Sequence, residues 1–188
     1  MSLAPSSSTP AANDELRRRV APLCHGIRLS AVVWIVWASA ATLSVFASKA
    51  QVAEHYGRFL HVDLTNLPTS GYVMALAVIL LDLAIAWLPV FFIWRLFGHY
   101  LRGDIFSRAA VREMWRCGWS GVAAVVTDIV ARPVLAYALT QHLSESERHH
   151  FWTNPNDILY LLLALFVVAL AHIFRASVEI ADDNRQIV

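Results

Sequence analysis

The stretch YVMALAVILLDLAIAWLPVFFIW, Tyr72 to Trp94, decides the fold. It runs for 23 residues with one charge, Asp82, and a helix needs roughly 20 apolar residues to cross a hydrocarbon core. A water-soluble chain would have to wrap such a run on all sides, yet this chain of 188 residues is 57% hydrophobic and only 15% charged. An ordinary globular domain carries about a quarter charged residues. The segment is therefore predicted to face lipid. Pro89 does not oppose this, because neighbouring helices can satisfy the carbonyl that a proline frees.

Working outward, LSAVVWIVWASAATLSVFAS gives 20 uncharged residues between Arg28 and Lys49. Cys117 to Gln141 is again mostly apolar but carries Asp128, Arg132 and Pro133, and Ile158 to Phe174 is free of charge between Asp157 and Arg175. The prediction is an all-α integral membrane four-helix bundle over residues 28–175, with spans at 29–48, 72–94, 116–140 and 158–174. A mean hydropathy of +0.51 agrees. Residues 1–27 form an amino-terminal segment. Its MSLAPSSSTPAA start has nothing to bury and reads as disordered, after which Asn13 is placed to cap a short amphipathic helix through DELRRRVAPL. Between spans two and three, Gly103-Asp104 breaks the chain and Ser107 caps a short helical extension that leads into span three, with Phe106 and Val111 placed as a hydrophobic staple. Residues 176–188 are a tail.

Positive residues set the orientation, because short loops rich in Arg and Lys stay cytoplasmic. Eleven of the 15 fall on one side: Arg17, Arg18, Arg19 and Arg28, then Arg95, Arg102, Arg108, Arg112 and Arg116, then Arg175 and Arg185. Lys49, Arg58 and Arg148 fall on the other, and Arg132 lies within a span. Both termini are expected in the cytoplasm. The string Ala47-Ser48-Lys49-Ala50 resembles a processing site, but the apolar run before it exceeds the roughly 7–15 residues of a signal core, so span one is read as a retained helix.

A formal charge of +1, with the basic residues scattered between apolar runs, gives no case for direct nucleic-acid binding. The chain has no GxSxG, P-loop, GxGxxG or HExxH pattern, so no catalytic residue is assigned and no enzyme is expected. Cys24 and Cys117 lie near the cytoplasmic ends of spans, and their spacing implies neither a redox pair nor a zinc site.

Charges inside the spans are the candidates for a site. Asp128 and Arg132 are four apart and share a helix face with Cys117, Gly121 and Ala124, small residues that let another helix approach. Asp82 lies roughly 15 Å deep in span two, and Asp128 and Arg132 about 16 and 10 Å deep in span three. The three are predicted to meet near mid-membrane. Such charges each cost on the order of 2.5–3.5 kcal/mol to insert. An arginine held by carboxylates fixes which helices are neighbours; a proton or ligand pathway is the competing role.

The eight histidines fall in two groups. His55, His61, His142, His149 and His150 lie in outer loops beside acidic residues, without the spacing of a metal site. His25, His99 and His172 lie near the cytoplasmic interface, and a haem clamp there would need two on facing helices, whereas only His172 falls inside a span. No metal and no cofactor is expected.

The loop LFGHYLRGDIFSRAAVREMWRCGW (Leu96 to Trp119) and the closing stretch LLLALFVVALAHIFRASVEIADDNRQIV (Leu161 to Val188) resemble a bacterial four-helix membrane family, domain of unknown function 2975. The resemblance extends over about residues 25–188. It implies an inner-membrane protein with no assigned activity, encoded in many members beside a small helix-turn-helix regulator. The last residues, Asn184 to Val188, depart from the Asp-Leu-Thr-Val type ending of many members. The combined expectation is a sensor, regulatory or accessory protein whose partners are membrane lipids, another membrane protein or a second copy, with a regulator as the partner that the resemblance implies. The rival expectation is a small carrier, channel or cofactor-binding protein that uses Asp82, Asp128 and Arg132 or the histidines.

Overall fold

Helix boundaries fall where the sequence supplies a cap. Ser107, with extended backbone at φ −88° and ψ 149°, turns its hydroxyl to accept the Ala110 N–H at 3.1 Å. Gly103, at φ 87°, takes the left-handed conformation that ends the preceding helix without side-chain strain. The computed structural model describes residues 10–104, 107–144 and 154–186. Among these the chain is wholly helical: α1 Pro10–Val45, α2 Lys49–Leu60, α3 Thr69–Leu101, α4 Arg108–Thr140 and α5 Asn156–Gln186. Four of the five, all but α2, are long and apolar enough to cross a membrane. The protein is a multi-pass membrane protein built as an all-helical bundle.

Several expectations need revising. Asn13 stands inside α1, which runs unbroken from Pro10 through Pro22 to Val45, so the predicted short helix and span one are one element. The tail is likewise not separate, since α5 continues to Gln186. Residues 1–9, Phe106 of the staple, and His149 and His150 lie outside the described residues.

The outer loop contains a helix that hydropathy did not signal. Ser48 caps α2 by accepting the Gln51 N–H at 3.3 Å, and Val52 and Leu60 are its buried residues, with Tyr56 half-buried between them at the same four-residue spacing. It stops at His61, φ 56°, with Val62 N–H bonded to the Gly57 carbonyl at 3.1 Å. Val52 joins Phe46, Leu64, Leu67, Ala75, Ile79, Leu135, Ala138 and Leu139 in the apolar core. That core ties the end of α1, α2, the connection after it, the start of α3 and the end of α4. Tyr72 reinforces it by donating its hydroxyl hydrogen to the Phe46 carbonyl at 2.7 Å.

The long helices pack in a row, α1 on α3, α3 on α4, and α4 on α5. Backbones approach closely at two glycines. A methyl built on Gly71 of α3 would lie 2.7 Å from the Ala138 carbonyl oxygen of α4, and one on Gly118 of α4 would lie 2.6 Å from Val168 Cγ2 of α5. Such small residues let transmembrane helices pack backbone to backbone. The row leaves α1 as an edge: only 6% of its apolar window is buried, against 22% for α4. Trp34 and Trp37 on α1 are largely exposed. Trp87 of α3 holds α1 by donating its indole N–H to Ser39 Oγ at 3.1 Å.

Candidate functional site

Two ion clusters lie toward opposite ends of α4. The first grows from the i, i+4 pair on α4. Arg132 donates through Nη2 to Asp128 Oδ2 and, across the helix seam, grips Asp157 with both terminal nitrogens, Nη1 to Oδ2 at 2.5 Å and Nη2 to Oδ1 at 2.8 Å. The fork geometry of a guanidinium on a carboxylate is the strongest form of this contact. Asp157 lies in the first turn of α5, where a negative charge also suits the exposed N–H groups of the helix start, and it accepts the Asn154 N–H at 3.3 Å. The Arg132 and Asp157 side chains are 12% and 11% exposed, whereas Asp128 is 46% exposed. The pair that matters for helix docking is therefore Arg132 with Asp157.

Of the three residues singled out from the sequence, the structure joins Asp128 and Arg132 directly. Asp82 is half-buried on α3, and Asp128 and Arg132 are the charges acting on it, but no hydrogen bond or ion pair reaches it among the described residues. The missed partner is Asp157, which in the sequence marks only the border of span four. Arg132 is eight residues short of the α4 end, about 12 Å, and its partner opens α5. The cluster thus sits toward the α4–α5 connection rather than at the centre of all four spans.

The second cluster has no counterpart in the sequence reading. Glu113 of α4 is fully buried, and its Oε1 lies 3.1 Å from Arg95 of α3 and 3.2 Å from Arg116. Its Oε2 is buried without a hydrogen-bond partner. Beside it, the Arg28 guanidinium of α1 stacks 3.6 Å over the Trp94 ring, a cation–π contact that desolvation strengthens. Arg28, Trp94, Arg95, Glu113 and Arg116 form a belt that runs from α1 across α3 to α4. A signal for Glu113 was present. The inward face through Cys117, Gly121, Ala124 and Asp128 continues back by four residues to position 113.

Cys24 and Cys117 are both buried thiols without a disulfide. Cys117 donates weakly to the Pro89 carbonyl, 3.9 Å from sulfur to oxygen, at the proline that stands inside α3. His25 and His172 are exposed, and His99 is half-buried in contact with Arg102 at 3.0 Å. His55, His61 and His142 are exposed near the opposite end. Among the described residues no three His, Cys, Asp or Glu side chains gather as a metal site would require.

The arrangement can hold helices in register and can keep charges apart from lipid. Both carboxylates at the centres of the clusters, Asp157 and Glu113, are met by arginine, which leaves Asp82 as the buried-side acid without a direct partner among the described residues. Compared with known families, residues 34–188 match the sequence profile described as protein of unknown function (DUF2975). No curated protein and no solved structure matches the chain.

Proposed function

The chain belongs to the DUF2975 family of proteins of unknown function, and we propose that it serves as an accessory or regulatory membrane protein acting through contacts in and at the bilayer, without catalysis. The observation that carries this reading is the open row. Among the long helices α1 packs chiefly on α3 and leaves Val33, Val36 and Trp37 exposed, so a large apolar helix face is available to another membrane helix. Positive residues support an orientation with both termini in the cytoplasm of a bacterial inner membrane, which puts the Glu113 belt at the inner face.

A photo-crosslinking residue at Val33 or Trp37, in membranes of the native host, tests the proposal. A discrete protein adduct, identified by mass and lost when that partner's gene is deleted, supports it, as does a self-adduct of twice the chain mass. Lipid adducts alone at both positions overturn it, as does a Soret band or stoichiometric metal in the purified protein.

A second reading is favoured by Asp82. An intramembrane carboxylate with no direct ion pair is the kind of group that proton pathways use. Proton flux in proteoliposomes that disappears in Asp82→Asn would select this reading over the first.

A further inference from the structure

At the arginine-rich end, α4 and α5 diverge around a cavity of about 430 Å³ lined by Arg108, Arg112, Trp115, Arg175 and Glu179, with Val111, Ala171 and Val178 as its apolar floor. Those three apolar residues are buried. We propose that this groove is a binding site for the phosphate headgroup of an anionic phospholipid.

The charge argument comes first. Three arginines and one glutamate surround the cavity, so an anion entering it meets a net positive wall. Glu179 meets Arg175 through Nε alone, at 2.9 Å, and among the described residues no other partner takes the donors of its terminal nitrogens. Arg112 makes no hydrogen bond or ion pair among the described residues. Guanidinium forks match phosphate oxygens in two-point contacts.

Depth selects a lipid over a soluble anion. Arg175 is the first charge after the apolar run 158–174 of α5, and Trp115 stands two residues before the apolar stretch of α4 that starts at Cys117. With Arg116 between Trp115 and that stretch, both lie within two residues of the level where a helix leaves the hydrocarbon, which is where headgroups sit and where tryptophan is favoured. Basic pockets between transmembrane helices at this level suit lipid phosphates. Ala171 alone of the apolar lining lies one turn inside Arg175 toward the hydrocarbon, while Val111 and Val178 lie at or outside the arginines, so it is the level of Arg175 and Trp115 that selects a lipid headgroup. Trp115 also stacks edge-on with Trp119, at 6.2 Å between ring centroids, which braces the groove wall on α4. The site does not depend on the accessory reading, because it needs only that α4 and α5 cross a bilayer.

The test uses the full chain, purified in a neutral detergent and titrated with phosphatidylglycerol, with phosphatidylcholine, or with inorganic phosphate, while thermal unfolding is followed. Phosphatidylglycerol should raise the midpoint saturably, because a ligand of the folded state alone stabilises it, and phosphatidylcholine should not. Arg112→Gln and Arg175→Gln should each weaken the apparent affinity about fivefold, from the roughly 1 kcal/mol that a basic residue contributes near an anionic surface. Arg58→Gln, an equal loss of charge at the opposite end, should leave it unchanged. Equal stabilisation by both lipids, an affinity the two arginine variants do not alter, or the same shift from inorganic phosphate would each overturn the lipid site. Should a variant fail to fold, a headgroup-photoactivatable phosphatidylglycerol on the wild-type protein decides. Adducts on residues 108–115 and 171–179 support the site, and adducts only elsewhere refute it.

Discussion

Substituting Gly118 should separate α4 from α5. The glycine faces Val168, and a Cβ there would fall 2.6 Å from Val168 Cγ2, 2.9 Å from its backbone nitrogen and 3.2 Å from its Cα. Carbon atoms pack best at about 3.5–4.0 Å, so the new atom is roughly 1 Å too close. A rotamer change of Val168 removes only the first of the three clashes, since the other two are backbone. The helices must then move apart by about 1 Å, and a gap of that size forfeits a quarter to a half of the attraction in each contact along the seam. Overpacking of this kind costs about 1–3 kcal/mol. Gly118→Ala recovers up to about 1 kcal/mol of that from better helix propensity, so it should lose roughly 1–2 kcal/mol net. Gly118→Val gains less and clashes more, and should lose about 3 kcal/mol. Gly98→Ala on α3 is the control, because nothing lies within 4 Å of the added carbon, and it should be neutral or slightly stabilising. Reversible unfolding in mixed micelles, titrated with a denaturing detergent and followed by helicity, gives the three values. Full rescue of Gly118→Val by Val168→Ala, or equal stability of Gly118→Val and Gly98→Ala, would refute the backbone approach described for this seam.

Arg132→Ala should destabilise strongly because it leaves the Asp157 carboxylate buried without its partner. In the same unfolding assay Asp128→Asn should lose much less, its side chain being half-exposed. Gly118→Val and Arg132→Ala both act on the α4–α5 seam, so their double variant should lose less than the summed single losses; strict additivity would mean that the clamp and the seam are independent. Reporter fusions at the two termini should both register cytoplasm, and a periplasmic signal from either end would overturn the orientation. The Asp63 carboxylate accepts the Thr65 N–H at 2.9 Å, which holds its pKa below the ordinary carboxylate value. A depressed acid stabilises above its unfolded pKa and loses that contribution as pH falls through the folded one. Local hydrogen exchange at residues 63–67, corrected for intrinsic rates, should therefore be slower in the wild type than in Asp63→Ala at neutral pH. The difference should vanish in acid; one that persists there would refute the carboxylate's role.

The spans were legible because lipid imposes a minimum apolar length that few other constraints mimic, and Ser107 and Gly103 were legible because caps are local chemistry. Asp128 with Arg132 could be paired from spacing alone, since both lie on one helix. Asp157 could not. Its partner comes from 25 positions away, and the depth at which α5 begins depends on how the α4–α5 connection folds back. Glu113 escaped for a different reason: it sits among arginines, where a charge run reads as a solvated face, and only the continuation of the inward stripe from Cys117 separates it from its neighbours. α2 escaped because its apolar face is one residue wide per turn, while Glu54, His55 and Arg58 dominate its composition. The capping pair Ser48 and Gln51 was the available sign.

The packing order along the row is also the order of the chain. α3 finds α1, α4 finds α3, and α5 finds α4, so each transmembrane helix, as it leaves the ribosome and enters the bilayer, meets a partner that is already in place. No span has to wait for a later one, and no early helix must be held open for a distant mate. Assembly can proceed by simple addition at one edge, with Arg132 taking Asp157 as the last step because Asp157 opens the last helix. A chain shortened before residue 156 would then retain the α1–α3–α4 seams intact, and it would expose a single new edge whose mark is Arg132 left with Asp128 but without Asp157.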